Sequence, residues 1–190
     1  MKLKAIFLVL ALSIVLLTGC NQSNTPSTTT SPTTSATTPV ASPDTVTTAS
    51  IVDTEEAFEK AISKDGTWII ATLKDLAFTK DLVLDGDFKN GKKDDAGKDI
   101  FQRKIALYTQ DQNRNVTARF TLTAPKLTVN SLNGSIQHGT FKGDLYVSGK
   151  NFQLVDATVE GNVYFTSEEA KSTFKADDKS KVTGKQEMKK

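Results

Sequence analysis

The chain has 190 residues, with 24 Lys and Arg against 22 Asp and Glu, one histidine and one cysteine, for a formal net charge of +2. A single cysteine leaves no intrachain disulfide, so the fold must hold by packing alone. Near-balanced charge supplies no long-range field to attract nucleic acid.

The chain opens on Lys2 and Lys4, followed by an apolar run from Ala5 to Leu17 that ends in Leu17-Thr18-Gly19-Cys20. A basic start before about a dozen apolar residues is the pattern of a secretory signal, and it falls short of the roughly 20 that cross a bilayer. The Leu-Thr-Gly-Cys close resembles the lipobox of bacterial lipoproteins. That resemblance implies that lipid is added to the Cys20 sulfur and that the peptide is cut just before it. Residues 1–19 are then a removed signal peptide, and Cys20 anchors the chain to the cell membrane with its domain outside the cytoplasm. A diacylglyceryl group supplies the two chains that stable anchoring takes. Loss of Lys2 and Lys4 leaves 22 basic residues against 22 acidic. Nucleic acid and an acidic membrane surface are accordingly set aside as partners.

Residues 20–50 continue from the lipidated cysteine into a Ser/Thr/Pro-rich stretch that holds four of the five prolines, Pro26, Pro32, Pro39 and Pro43, and no aromatic residue. Such a segment buries too little apolar surface to offset the entropy of ordering it, so a disordered stalk is expected. Residues 51–190 then have the size of one ordinary domain. This domain starts with a helix: Asp53 or Thr54 caps it, Glu55 and Glu56 suit its positive end, and Ala57, Phe58, Ala61 and Ile62 share one face. Asp65-Gly66 stops it. The period then changes to two, with Trp68 and Ile70, Leu76 and Phe78, Leu82 and Leu84, Ile105 and Leu107, and Phe120 and Leu122 as inward pairs.

A fixed repeat occupies the second half. Pro125-Lys-Leu-Thr-Val-Asn, Gly143-Asp-Leu-Tyr-Val-Ser and Gly161-Asn-Val-Tyr-Phe-Thr align without a gap at a spacing of 18 residues. Leu127, Leu145 and Val163 fall in one inward column and Val129, Val147 and Phe165 in the next. Ile136 matches Leu154, Phe141 matches Val159, and Gly143 matches Gly161. Such a repeat is too short for a propeller blade or a helical repeat and suits a β-solenoid with short strands and tight corners. An antiparallel sandwich is the rival, but it has no reason to keep inward residues in linear columns. The earlier repeats are longer, from Leu82 to Ile105 and from Ile105 to Leu127. The excess is placed in two polar outward loops, Lys89 to Asp99 and Asp111 to Asn115.

With its opening Val52-Asp-Thr-Glu-Glu-Ala-Phe-Glu-Lys-Ala-Ile and Trp68-Ile-Ile, the chain resembles the right-handed parallel β-helix proteins of the pectate-lyase-like superfamily. It is also similar to uncharacterised lipoproteins of spore-forming bacteria. The resemblance implies an all-β fold, a right-handed parallel β-helix of about five or six coils behind an N-terminal capping helix. The rungs around Gly143-Asp-Leu-Tyr and Gly161-Asn-Val-Tyr are similar to those of the bactofilins, which polymerise through their helix ends. Against self-association stands the Lys-rich close from Ser167, where Phe174 and Val182 are isolated anchors; a polar last coil of this kind favours a monomer.

The outward columns carry the candidate ligand site. Lys126, Asp144 and Asn162 stack on one face, Thr128, Tyr146 and Tyr164 beside them, and Asn130, Ser148 and Thr166 next. Tyrosine presents an apolar ring and a hydroxyl together, which suits polysaccharide, including cell-wall polymers. Stacked tyrosines also simply shield a parallel sheet, and both readings stand at this point. His138 opposite Asp156, and Lys142 opposite Glu160, read as corner and surface pairs.

Enzymatic signals are poor. A lyase of the superfamily, the second functional reading, needs a base beside clustered acids that hold calcium. The acid cluster Asp94, Asp95 and Asp99 is interleaved with Lys92, Lys93 and Lys98, which neutralise it, and its spacing is not that of a calcium loop. Carboxylates such as Asp85, Asp87, Asp144 or Glu160 are not singled out as a hydrolase pair. With the cysteine lipidated and one histidine, neither a His/Cys zinc site nor a Cys-His nucleophile is formed. No phosphate loop is present. No catalytic residue, cofactor or metal is expected, and the domain reads as a non-catalytic structural or carbohydrate-binding module.

Overall fold

The computed structural model describes residues 49–189; the expected signal peptide, Cys20 and nearly all of the expected stalk lie outside them. In chain order the elements are β1 (Ala49–Val52), α1 (Glu55–Ile62), β2 (Ile69–Thr72), β3 (Leu76–Ala77), β4 (Leu82–Leu84), β5 (Lys89–Lys93), β6 (Asp99–Phe101) and β7 (Arg103–Ala106). They continue with β8 (Tyr108–Gln110), β9 (Val116–Arg119), β10 (Thr121–Val129), β11 (Gly134–Gln137), β12 (Thr140–Val147), β13 (Gln153–Val155), β14 (Thr158–Glu160) and β15 (Val163–Phe165). Helix α2 (Glu168–Thr173) precedes β16 (Lys175–Ala176), β17 (Lys181–Val182) and β18 (Gln186–Met188). The domain is all-β in class.

Helix α1 forms where the sequence places it. Thr54 has extended backbone and its Oγ1 accepts from the Ala57 amide at 3.2 Å, while Glu55 and Glu56 occupy the first turn. Phe58, Ala61 and Ile62 are buried beneath it.

Two sheets carry the core, and their pairings are parallel. The first runs β1-β2-β7-β11-β13-β16. The second runs β17-β14-β12-β10-β3, with β4 also on β10, β15 on β12 and β18 on β15. From β10 onward the chain alternates between the two, with β14 and β15, and then β17 and β18, as consecutive strands of the second. Within the second sheet Leu127, Leu145 and Val163 are register partners, as are Val129, Val147 and Phe165. Ile136 pairs with Leu154 in the first sheet and Phe141 with Val159 in the second. All ten are buried. Equal 18-residue spacing keeps the same side-chain class at every level, so apolar residues stack on apolar residues across successive strands.

The glycines of the repeat allow this stacking to close. A Cβ on Gly161 would lie 2.0 Å from the Gly143 carbonyl oxygen, and one on Gly143 would lie 1.9 Å from that of Ala124. Gly143 also has φ +139, a conformation that side chains disfavour.

Five details differ from the sequence expectation. Lys89 to Asp99 is not a plain loop: β5 pairs antiparallel with β6, and β8 with β9, so each insert is a hairpin, with Asp111 to Asn115 as the tip of the second. Leu82 and Leu127 are direct partners, whereas Ile105 belongs to the other sheet, between Ile70 and Ile136. The inserts lengthen the connections without adding a level to either column. Trp68 and Phe120 are half-buried rather than core, because each stands at the edge of its strand. Finally, the Lys-rich close is not irregular: β16, β17 and β18 continue both sheets in parallel register, with Val182 on Val159 and Met188 on Phe165. Phe174, Val182 and Met188 pack against the core from there.

Candidate functional site

Strands β4, β10, β12, β15 and β18 place Val83, Thr128, Tyr146, Tyr164 and Glu187 in one outward column. The parallel register brings the predicted tyrosines together, with ring centroids 4.9 Å apart and planes tilted by 46°. Beside them Asp144 Oδ1 accepts from the Asn162 side-chain amide at 2.9 Å and from its backbone N–H at 3.2 Å. Asn162 Oδ1 in turn accepts from the Lys185 backbone N–H. On the other flank the Thr166 hydroxyl donates to Ser148 Oγ at 3.0 Å. All five predicted residues, Thr128, Asp144, Tyr146, Asn162 and Tyr164, therefore share one face.

Two lysines border the rings. Lys126 is paired with Asp81 at 2.6 Å, a bond that holds its ammonium above the ordinary lysine range, and its Nζ lies 5.6 Å from the Tyr146 centroid. Lys189 lies 4.2 Å from the Tyr164 centroid and 5.3 Å from that of Tyr146, within cation–π range of both. The Tyr146 hydroxyl raises its proton affinity. Lys189 is fixed at its backbone, where its N–H donates to the Phe165 carbonyl at 2.9 Å. Tyr164 is consequently only 9% exposed, while Tyr146 is half-buried. Sequence reasoning missed Lys189, since its place depends on β18 continuing the sheet.

A second polar cluster sits at a corner of the first sheet. His138 and Asp156, both in left-handed conformation with φ +59 and +49, are joined by Nδ1 to Oδ2 at 3.0 Å. Arg119 donates to the same oxygen at 2.5 Å and to the Asp156 carbonyl at 3.2 Å, and the Tyr108 ring stands edge-on to the imidazole at 4.4 Å. The Arg119 and His138 bonds hold the Asp156 carboxyl below the usual range. Lys142 and Glu160 meet at 3.3 Å on the exposed surface.

The acid cluster is consumed locally. Asp94 Oδ1 accepts from the Ala96 and Lys98 amides in the hairpin turn. Asp99 is paired with Lys89 at 2.7 Å and Lys93 at 2.6 Å, which hold its carboxyl down at about 2. Among the described residues no group of three or more His, Cys, Asp or Glu is gathered to hold a metal.

Arg103 is the other group that sequence reasoning did not single out. It is wholly buried, and its guanidinium donates to the carbonyls of Ala61 at 2.6 Å, Ser63 at 2.9 Å and Gly86 at 3.3 Å, and to that of Asp85. It also lies 4.2 Å over the Phe88 ring. Burial lowers its pKa to about 10, so the group stays charged at neutral pH. Its parity with Ile105 and Leu107 was the available signal, since alternation points all three to one side. Its role is to tie α1 to the sheet.

Among the described residues no helix is long and apolar enough to cross a membrane. Comparison with protein families, curated proteins and solved structures returns no match for this chain.

Proposed function

We propose that the protein is an exported lipoprotein, held to the cell membrane through lipidated Cys20, whose domain is a right-handed parallel β-helix that binds polysaccharide without catalysing a reaction. The fold part of this reading is supported by the chain's alternation between two parallel sheets and by the 18-residue register that stacks Leu127, Leu145 and Val163. Parallel sheets with in-register columns are what winding a short repeat around one axis produces.

The observation that carries the binding part is the Tyr146–Tyr164 pair set between two hydrogen-bonded polar columns, Asp144 with Asn162 and Ser148 with Thr166. An aromatic stripe with donors and acceptors on both sides matches a sugar, which has apolar ring faces and polar edges. A repeating face suits a repeating polymer. The domain acts as a monomer in this reading. Its last strands are two or three residues long and carry Lys175 and Lys181, and short lysine-bearing edges resist the addition of a neighbour's strand.

The test is a screen of the full-length protein in detergent against immobilised oligosaccharides, with hydrolysis and elimination products assayed on the same sugars. Binding by the wild type that is lost when Tyr146 and Tyr164 are both changed to Ala supports the reading. Binding that the double variant retains, or turnover of any sugar, overturns it.

A further inference from the structure

We propose that Lys189 is a displaceable cover over the tyrosine face, so that the protein alternates between the closed state of this structure and an open one in which Tyr164 accepts a sugar ring. This inference rests on the reading of that face as a sugar surface and adds its regulation. Four observations lead to it. The Lys189 ammonium lies over both rings, 4.2 Å and 5.3 Å from their centroids. Among the described residues it makes no ion pair, in contrast to Lys126, which is held by Asp81. Tyr164 is left 9% exposed, too little for a sugar to stack on it. The strand that delivers Lys189 is the three-residue β18, which pairs with β15 alone.

The mechanism of opening lies in the strength of the contacts. The ammonium of this exposed lysine is held by the Tyr146 hydroxyl and by cation–π attraction to the two rings, which are weak contacts in water, while stacking a sugar on the same ring removes apolar surface from water and exchanges one cover for another. The lysine therefore excludes weak or non-cognate contacts and yields to a ligand that covers both rings. Because the ammonium sits on a flexible stem, opening requires the side chain to swing and leaves the backbone bond from Lys189 to Phe165 in place.

The experiment uses the full-length protein in detergent and two readouts. Acetylation of tyrosines by N-acetylimidazole, mapped by peptide mass spectrometry, measures access to Tyr164 directly. Lys189→Ala is expected to raise the rate at Tyr164 several-fold, whereas Lys185→Ala, one residue before β18, leaves it unchanged. An unaltered rate at Tyr164 in Lys189→Ala overturns the proposal. A thermal melt of the same variant separates opening from unfolding: acetylation that rises at every buried site, with a lowered melting temperature, would mean that β18 has detached and would also overturn it. For an oligosaccharide that binds the wild type, Lys189→Ala is expected to tighten binding by about two- to five-fold, the population freed when a surface cation–π contact is removed. Weaker binding would make Lys189 a direct ligand contact and refute the cover. If Tyr164 opens in the variant yet neither form binds any sugar, the cover stands and the polysaccharide reading fails.

Discussion

Arg103 Nη2 donates to the Ala61 carbonyl oxygen at 2.6 Å, joining two residues 42 apart in sequence and closing the last turn of α1 from inside the domain. The helix end would otherwise leave carbonyls without partners, and the same guanidinium satisfies Ser63, Asp85 and Gly86. Replacing Arg103 by Leu takes the donor from the buried Ala61 carbonyl and from that of Asp85, whereas Ser63 keeps the Gly66 N–H and Gly86 keeps the Ser131 hydroxyl. The expected loss is at least about 3 kcal/mol in urea or guanidinium unfolding. Arg103→Lys should recover only part of it, because an ammonium cannot span four carbonyls as a planar fork does. Equal midpoints for Leu and wild type would refute the assigned role.

Leu145 is wholly buried between Leu127 and Val163. Leu145→Asp introduces a charge with no partner, and a cost above about 4 kcal/mol, seen as insoluble or unfolded protein, is expected. Its neighbour Asp144 faces out but accepts two bonds from Asn162. Asp144→Ala should therefore cost about 1 kcal/mol in the same denaturation experiment. A reversed order of the two costs would mean that the faces are exchanged.

Gly161 admits no side chain, since its Cβ would fall 2.0 Å from the Gly143 carbonyl oxygen, which is backbone and cannot swing away. Gly161→Ala is expected to destabilise by several times the roughly 1 kcal/mol of an ordinary strained glycine site. Gly91, with φ +79 and open space around it, is the comparison. Melting temperatures of the two alanine variants, measured side by side, decide the matter.

Arg119 and His138 depress the Asp156 carboxyl, so the folded state holds this proton less tightly than the unfolded chain, whose carboxyl titrates near about 3.9. The sign is that of a lowered acid: the contribution is present above the unfolded value and disappears as pH falls through the folded one. Asp156→Asn should therefore reduce stability at pH 6, and the gap to wild type should narrow as pH falls below the unfolded value of about 3.9. A gap that stays constant from pH 6 to pH 2.5 in denaturant midpoints would show that Asp156 contributes no charge interaction.

In the proposed lipoprotein, Cys20→Ser keeps the basic start and apolar run that would direct export and removes the sulfur to which lipid would be joined. The variant is expected in the soluble exported fraction. Retention in membranes through a carbonate wash would refute lipid anchoring.

Two kinds of information were legible in the sequence, and both are local or periodic. Thr54 with Glu55 and Glu56 marked the start of α1, because capping depends on residues within one turn. The 18-residue spacing placed Leu127, Leu145 and Val163 together and set Tyr146 on Tyr164, since equal repeats in parallel strands keep register without further information. Where the spacing changes, the signal is lost. β16 to β18 sit 22 or 23 residues from their partners, and Gln186 stands where Val163 and Leu145 stand, so the 18-residue spacing does not reach Val182 and Met188 and one apolar column is broken. For the same reason Lys189 could not be placed over the tyrosines. Nor could the sequence show that Lys89 to Phe101 pairs with itself, because the polar β5 and the three-residue β6 are too short of alternating apolar residues to signal strands. Arg103 shows the limit most plainly. Its alternation with Ile105 points it inward, but only the tertiary structure supplies carbonyls from α1 and from Asp85 and Gly86 at the distances that make a buried cation stable.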